Sequence, residues 1–198
     1  MNTGSPQSTE RRRPIRLRAM QTLVLPESDG LQNFLRIDVE SGMLRLYALK
    51  SAAYADATLA LMSPVECGKF RQPKNYQLIV EALTDINVDI WQEANFDSDE
   101  EDFLTQWLLE LYIIRHPPKA DDRFAALMKL FIERFGKRTT EGYKLEFLLS
   151  HHRIAEIIGT TRSTVSRTIS RMRSQGIIAI DENMHSLTWN LNADRDGC

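Results

Sequence analysis

Two short helical patterns separated by one glycine, within residues 150–174, constrain the fold of this chain more than any other feature of its sequence. Ser150 suits the N-cap of the first helix, because its hydroxyl can accept a hydrogen bond from a free backbone N–H group. Gly159 suits the tight turn that follows, since glycine tolerates a positive φ. Thr160 or Thr161 then suits the N-cap of the second helix. The sequence therefore predicts two helices joined by a tight turn.

The second helix has one apolar side and one polar side. Its apolar residues, Val165, Ile169 and Met172, recur at the i, i+4, i+7 spacing of a buried helical stripe. The polar side carries Arg162, Ser163, Ser166, Arg167 and Ser170. We interpret the apolar stripe as the anchor of the helix, and the arginines and hydroxyls as the surface that the helix presents.

Positive charge is concentrated in this region and not in the chain as a whole. The 198 residues carry a net charge of -2, whereas residues 149–176 contain five arginines and a single acidic residue, Glu156. An α-helix fits the major groove of DNA, where arginine forks onto guanine and Ser or Thr hydroxyls reach phosphates or base edges. The pattern predicts a local DNA-binding surface, because a local excess of charge marks a site for a polyanion.

The residues after the second helix extend this pattern. The stretch "GIIAIDENMHSLTWN", residues 176–190, is typical of a strand, a turn and a second strand. A helix-turn-helix that is followed by such a hairpin is a winged helix, and we predict that architecture for the C-terminal part of the chain.

The N-terminal part has strand patterns from Leu23 to about Trp91. Within it, "LRIDVESGMLRLYAL" has two alternating runs around the turn "ESG", which predicts a β-hairpin. Two amphipathic helices are predicted next, in "FLTQWLLELYIIRH" and "ADDRFAALMKLFIERFG". The apolar stripe of the first comprises Phe103, Trp107, Leu108, Leu111 and Ile114. Such a stripe is either core of the same chain or the seam of a dimer.

The stretch "LSHHRIAEIIGTTRSTVSRTISRMRSQGIIAID" resembles the helix-turn-helix signature of the Crp/Fnr family of bacterial transcription regulators. The resemblance implies an α+β fold with an N-terminal, jelly-roll-like β-roll, a central dimerisation helix and a C-terminal winged helix-turn-helix. We accordingly expect a disordered basic arm over residues 1–20, a β-roll sensor-like domain over 21–97, a dimerisation helix over 98–118 and a winged-helix DNA-binding domain over 119–198.

The same resemblance implies roles for individual residues. Base reading is expected at the first residues of the recognition helix, here Arg162, Ser163, Ser166 and Arg167. Phosphate contacts, which fix register without reading sequence, are expected from Arg153, Thr161, Thr164, Ser170 and Arg171. The family also favours the dimer seam for the stripe of Phe103, Trp107, Leu108, Leu111 and Ile114. Many members carry Glu where this chain has Ser163. The small residue here resembles the small or apolar residue that members of the cyanobacterial nitrogen-control branch carry at this position.

The predicted sensor domain lacks the residues with which members of the family bind cyclic nucleotides. Those members have a Gly-Glu-x-x-Leu sequence and then Arg-Ser/Thr-Ala, whose arginine and backbone amides hold the cyclic phosphate. The corresponding stretch here, "ECGKFRQPKNYQL", has Gly68–Lys69 and no Arg-Ser/Thr-Ala. Two cysteines, Cys67 and Cys198, are too few for an iron–sulfur cluster. We expect neither cofactor nor metal, so another effector, a partner protein and a constitutive scaffold stay open for this domain.

The expected partners are double-stranded DNA and a second copy of the chain, because palindromic half-sites require a two-fold symmetric protein. RNA polymerase or a coregulator protein is a further candidate, through the acidic run "DSDEED". No stretch approaches the roughly 18 apolar residues of a membrane span, so we expect no membrane contact and a cytoplasmic location.

The alternative to a DNA-binding regulator is a winged-helix module that binds a protein, or a coregulator that acts through its degenerate sensor domain. Tolerance of charge reversal at Arg162 and Arg167 would favour this alternative, because DNA binding depends on positive charge. An enzyme is not expected, and no residue is assigned a catalytic role. The sequence offers no Ser-His-Asp spacing, metal-ligand cluster or phosphate-binding glycine loop.

Overall fold

The computed structural model describes residues 14–27, 34–50, 56–93 and 102–190. Eight strands come first: β1 (Ile15–Leu17), β2 (Thr22–Val24), β3 (Phe34–Ser41), β4 (Leu44–Leu49), β5 (Ala57–Met62), β6 (Cys67–Arg71), β7 (Gln77–Ala82) and β8 (Ile86–Glu93). They form two antiparallel sheets, with strand orders β1-β8-β3-β6 and β2-β7-β4-β5.

The two sheets share one apolar core. Along β3, Leu35, Ile37 and Val39 are buried while the residues between them are half-exposed, as the two-residue period of a strand requires. On β4, Leu44 and Leu46 are fully buried in the same core. These sheets form the predicted β-roll.

The predicted hairpin between the two runs around "ESG" is wrong. β3 pairs with β6 and β8, whereas β4 pairs with β5 and β7, so the turn carries the chain from one sheet to the other. Gly42 lies at this crossing with a φ of +86°. A Cβ atom there would lie 2.2 Å from the backbone oxygen of Asp85, so the crossing requires glycine. Each run buries its apolar face, but in different sheets.

The prediction that residues 1–20 form a disordered arm is wrong for its last part. Ile15–Leu17 form β1, which pairs antiparallel with Ile86–Val88 at the start of β8. Ile15 and Leu17 pack against the core of the roll, and this apolar contact explains why the segment is ordered. Residues 1–13 lie outside the described residues.

Four helices follow the roll: α1 (Phe103–Ile114), α2 (Ala120–Phe135), α3 (His151–Ile158) and α4 (Arg162–Ser174). The carboxylate of Asp102 caps α1 by accepting from the backbone N–H groups of Leu104 and Thr105. The rest of the acidic run lies outside the described residues. None of the helices in the described ranges is long and apolar enough to cross a membrane.

The C-terminal sheet contains two strands that sequence reasoning missed. Its strands are β9 (Lys137–Arg138), β10 (Gly142–Leu145), β11 (Ile178–Asp181) and β12 (Ser186–Asn190), in the order β11-β12-β10-β9. The predicted hairpin of β11 and β12 is confirmed, with Ile178 opposite Trp189. The α+β fold with an N-terminal β-roll and a C-terminal winged helix-turn-helix is therefore confirmed.

The predicted dimer seam on α1 is wrong for most of its residues. Trp107, Leu111 and Ile114 are 0%, 6% and 4% exposed in a single chain, because this face of α1 packs on β5 and β6. Phe103 is half-buried against the same core. These residues are therefore core of the same chain, which is the alternative that the sequence left open. Of the predicted seam, only Leu108 is exposed.

Candidate nucleic-acid interface

Local hydrogen bonds fix the turn between α3 and α4 as the sequence predicts. The Ser150 hydroxyl caps α3 by accepting from the backbone N–H of Arg153 at 3.3 Å. Gly159 ends α3 with a φ of +64°, the left-handed conformation expected of a glycine there. Of the two candidate caps for α4, Thr161 is the one used, and its hydroxyl accepts from the Thr164 N–H at 3.2 Å.

Buried side chains hold α4 in a fixed rotation about its axis. Val165, Ile169 and Met172 are 0%, 4% and 8% exposed, which confirms the predicted anchoring stripe. Thr168 is also buried, and its hydroxyl donates to a carboxylate oxygen of Asp121 at the start of α2 over 2.6 Å. Because α4 is anchored on this side, its opposite side must face solvent.

The exposed side of α4 presents the predicted base-reading residues. Arg162, Ser163 and Arg167 are exposed, and Ser166 is half-buried. Together they line a shallow, open pocket with a volume of about 500 Å³. Within the described part of the chain, no carboxylate lies within ion-pair distance of Arg162 or Arg167. Both guanidinium groups are therefore available to an anionic or hydrogen-bonding partner.

Ser166 is the base-reading candidate with the most defined hydrogen bonds. Its hydroxyl lies 3.0 Å from the backbone oxygen of Arg162, one turn earlier in α4. It also lies 2.8 Å from Nδ1 of His151, the first residue of α3. The side chain of Ser166 is thus oriented by both helices of the motif.

Three hydroxyls cluster at the N-terminus of α4. Thr161 Oγ1 lies 2.9 Å from Thr164 Oγ1 and 3.0 Å from Ser163 Oγ. The N-terminus of a helix favours anions, because its first N–H groups and the helix dipole point outward. This arrangement suits the predicted phosphate contacts of Thr161 and Thr164, and the exposed Ser170 lies farther along the same helix.

Arg171, a predicted phosphate contact, has a partner within the chain. Its guanidinium lies 2.5 Å from a carboxylate oxygen of Asp121, and about half of the Arg171 side chain remains exposed. Hydrogen bonds hold the pKa of Asp121 below its usual value, with the larger effect from Thr168 and the next from Arg171. The carboxylate therefore stays charged and neutralises part of the positive charge of α4.

Arg153 does not lie on this surface, and its prediction as a phosphate contact is wrong. Its guanidinium forms ion pairs with Asp56 and with Glu81, both from the β-roll. The same group lies 5.7 Å from the ring centroid of Tyr47 on β4. Only 22% of the Arg153 side chain is exposed, because this part of α3 packs against the roll.

Arg153 belongs to a buried cluster that joins the roll to α3. At its centre is Arg45 of β4, which is fully buried and lies 2.8 Å from Glu81 and 3.3 Å from Asp56. Arg45 also lies 3.3 Å from Glu156 of α3. We call Arg45, Asp56, Glu81, Arg153 and Glu156 the joint.

Thr58 completes the hydrogen bonds of the joint. Its hydroxyl accepts from Arg45 Nε at 2.7 Å, and its backbone N–H donates to Glu156 at 3.0 Å. Sequence reasoning missed all of these contacts. The only signal was an arginine within the otherwise apolar run "LRLYAL" of β4, and nothing near it in sequence indicates a partner on α3.

Comparisons of sequence identify relatives of the chain. Residues 104–189, which span α1 to β12 and include the candidate interface, match the Crp-like helix-turn-helix domain. The nitrogen fixation regulation protein FixK of Rhizobium meliloti is 25% identical over 148 residues, which are 72% of this chain and 68% of FixK. The global nitrogen regulator of Synechococcus elongatus is 36% identical over 58 residues, which are 29% of this chain and 26% of that protein.

A comparison of structures agrees with these matches. A CRP-family transcriptional regulator of Thermus thermophilus superposes with a TM-score of 0.64 at 17% identity, over 92% of this chain and 95% of that chain. This likeness establishes the shared fold, from the β-roll to the winged helix. Residues 104–189 therefore match a Crp-like helix-turn-helix domain, and the matched domain, the related regulators and the common fold together support a DNA-binding transcription regulator of the Crp/Fnr type.

Proposed function

We propose that this regulator binds an inverted repeat in double-stranded DNA as a homodimer, with α4 of each copy in the major groove. Arg162, Ser163, Ser166 and Arg167 read base edges in this proposal. The observation that carries it is the exposed pair Arg162 and Arg167, to which no described carboxylate is bound. Arginine is the side chain best suited to the O6 and N7 acceptors of guanine.

The neighbouring hydroxyls and one further arginine position α4 on the duplex. Thr161 and Thr164 at the helix N-terminus, with Ser170 and Arg171 farther along, contact phosphates and fix register. Arg171 shares its charge with Asp121, so we assign it a smaller part of the affinity than the two unpaired arginines. RNA polymerase or a coregulator then contacts another surface, because DNA occupies the exposed side of α4.

A second copy of this chain is the occupant that we propose for the exposed side of α1. Leu108, Leu109, Tyr112 and Ile113 are 44%, 58%, 63% and 52% exposed. Their spacing places them on one side of the helix, opposite the side that packs on the roll. A two-fold pairing through this apolar surface also supplies the symmetry that an inverted repeat requires. Leu108 is the one residue of the originally predicted seam that this surface retains.

Substitution on α1 tests the dimer. Leu109→Asp places a charge in the proposed apolar contact, so we expect a monomer in sedimentation velocity and weak binding to an inverted repeat. Tyr76→Asp is the matched control, because Tyr76 is also an exposed large apolar residue, at 41%, but lies on the roll. A Leu109→Asp protein that stays dimeric contradicts this seam.

The sensor-like domain supports action without cyclic nucleotide. The stretch around Gly68 has Lys69 where the Gly-Glu sequence of a cyclic-phosphate site has glutamate, and no Arg-Ser/Thr-Ala sequence follows it. We therefore propose that the protein binds DNA without added cAMP.

Selection of bound sites from random DNA, with purified protein and no added ligand, tests this function. We expect recovery of an inverted repeat whose half-sites lie about one helical turn apart, roughly 10 base pairs. Recovery of no preferred sequence, with folded protein, would contradict base reading by α4. Recovery only after cAMP is added would contradict ligand-independent binding alone.

A further inference from the structure

His151 and Ser166 form a hydrogen bond between the two helices of the DNA-binding motif. Nδ1 of His151 lies 2.8 Å from the Ser166 hydroxyl oxygen. His151 is the first residue of α3, and Ser166 lies on the exposed side of α4, in the surface that also contains Arg162, Ser163 and Arg167. Both side chains are half-buried, so the contact is partly shielded from solvent.

The hydrogen bonds of Ser166 determine which partner donates. A hydroxyl has one hydrogen and can also accept. The Ser166 oxygen lies 3.0 Å from the backbone oxygen of Arg162, which can only accept. Both contacts are satisfied at once only if Ser166 donates to Arg162 and His151 donates from Nδ1 to Ser166. This accounting assigns the proton of the neutral His151 ring to Nδ1.

The remaining capacity of Ser166 is then that of an acceptor. Its hydrogen is directed to Arg162, and one lone pair receives the Nδ1–H of His151, which leaves one lone pair for DNA. In the major groove, cytosine N4 and adenine N6 are donors, whereas guanine O6 and thymine O4 accept. A serine held in this way discriminates between these two classes of base, and a freely rotating hydroxyl does not.

We propose that His151 is a specificity-determining residue that acts through Ser166. By donating to the Ser166 hydroxyl, it makes α4 prefer adenine or cytosine, and disfavour guanine or thymine, at one position of each half-site. This inference rests on the proposed function, in which α4 reads bases. His151 is a positioning residue here, because Ser166 makes the contact with the base.

The tautomer of His151 tests the hydrogen-bond assignment without DNA. We expect long-range ¹H–¹⁵N NMR spectra, recorded at a pH where the ring is neutral, to show the proton on Nδ1. In Ser166→Ala, which removes the acceptor, the Nδ1–H population should fall. A proton found mainly on Nε2 in the unsubstituted protein would overturn the inference, whatever the protein does with DNA.

Base preference tests the consequence. Binding is measured to a set of duplexes in which every position of the selected half-site carries each of the four bases in turn. His151→Leu removes the donor, and we expect the preference at one position to fall about three- to tenfold, the range of one neutral hydrogen bond. His151→Asn keeps a donor near the place of Nδ1 and should restore part of that preference.

His152→Leu is the matched control, because His152 is the next residue of α3 and is exposed. It should leave the preference at every position unchanged. Ser166→Ala should change the same position as His151→Leu, which excludes a general loss of folding as the cause. An unchanged preference in His151→Leu, in a protein that still selects its site through Arg167, overturns this inference alone, whether or not Ser166→Ala changes the preference. A protein that binds all duplexes equally overturns the proposed function as well.

Discussion

Arg45 and Arg167 have the same side chain and opposite environments. Arg45 is fully buried in the joint, within 3.3 Å of carboxylate oxygens of Asp56, Glu81 and Glu156. Arg167 is exposed on α4, and none of the described carboxylates pairs with it. The role of each arginine therefore depends on the elements that face its side chain, which are the roll and α3 for Arg45 and solvent for Arg167.

Charged side chains have different roles in the joint and on the exposed side of α4. In the joint, carboxylates from the roll and from α3 offset Arg45 and Arg153, so the contact fixes how α3 packs on the roll. A buried ion pair of this kind favours one arrangement, because any other leaves a charge unpaired. On α4 the guanidinium groups of Arg162 and Arg167 have no such partner in the described chain, which leaves their charge for DNA.

Removal of the central arginine of the joint should have the largest effect. Arg45→Ala leaves carboxylates in the joint without their buried partner, so we expect a loss of about 3–5 kcal/mol in the free energy of unfolding. Urea denaturation followed by circular dichroism measures this loss. Arg162→Ala is the control, and it should change stability by less than about 0.5 kcal/mol, as for other exposed sites. Equal stability of the two variants would show that burial does not separate the two arginines.

Arg153, which the sequence places at the DNA surface, belongs to the joint in the structure. Arg153→Ala should lower the free energy of unfolding by about 1–3 kcal/mol, because it leaves partly buried carboxylates of Asp56 and Glu81 with fewer donors. The salt dependence of DNA binding should not change, since Arg153 contacts no phosphate in this account. A flatter salt dependence of DNA binding in Arg153→Ala, with an unchanged free energy of unfolding, would show that Arg153 contacts DNA phosphates.

The smallest effect on stability is expected at Asp121, which pairs with the half-exposed Arg171 of α4. Its pKa is lowered by hydrogen bonds from Thr168 and Arg171, so its charged form stabilises the fold. That stability is present above the ordinary aspartate value of 3.8 and is lost as the pH falls through the lowered value. Asp121→Asn should therefore lower stability at pH 7 by less than about 1 kcal/mol, and the difference should vanish in acid.

Asp121→Asn should also change DNA binding. The substitution removes the carboxylate that shares the charge of Arg171, so the phosphate contact of Arg171 should strengthen and the dependence of log K on log salt should steepen by up to about 0.9. Thr168→Val is the companion variant, because it removes the other donor to Asp121 and leaves the carboxylate beside Arg171. An unchanged salt dependence in Asp121→Asn would show that Asp121 does not weaken the contact of Arg171 with DNA.

The helix-turn-helix could be predicted from sequence because its signals are local. The caps Ser150 and Thr161 bond to N–H groups three residues later, and Gly159 ends α3 by its own backbone conformation. The stripe of Val165 and Ile169 also lies within one helix. None of these features depends on a distant part of the chain.

The features that sequence reasoning missed depend on distant partners. Glu81 is 36 residues from Arg45, and Glu156 is 111 residues away. Alternation along β3 indicates which of its side chains are buried, but a hairpin and two separate sheets satisfy that alternation equally. In the same way, the stripe containing Trp107 indicates a buried face of α1 without indicating whether the same chain or a second copy covers it.

The most direct test of the account is the affinity of the Arg162→Ala, Arg167→Ala double variant for the selected inverted repeat and for a scrambled duplex of the same length. We predict that the unsubstituted protein prefers the repeat, and that the double variant loses at least about tenfold of that preference, as expected for lost arginine–guanine contacts. Its stability should stay unchanged. A double variant that folds normally and retains the full preference would contradict base reading by α4.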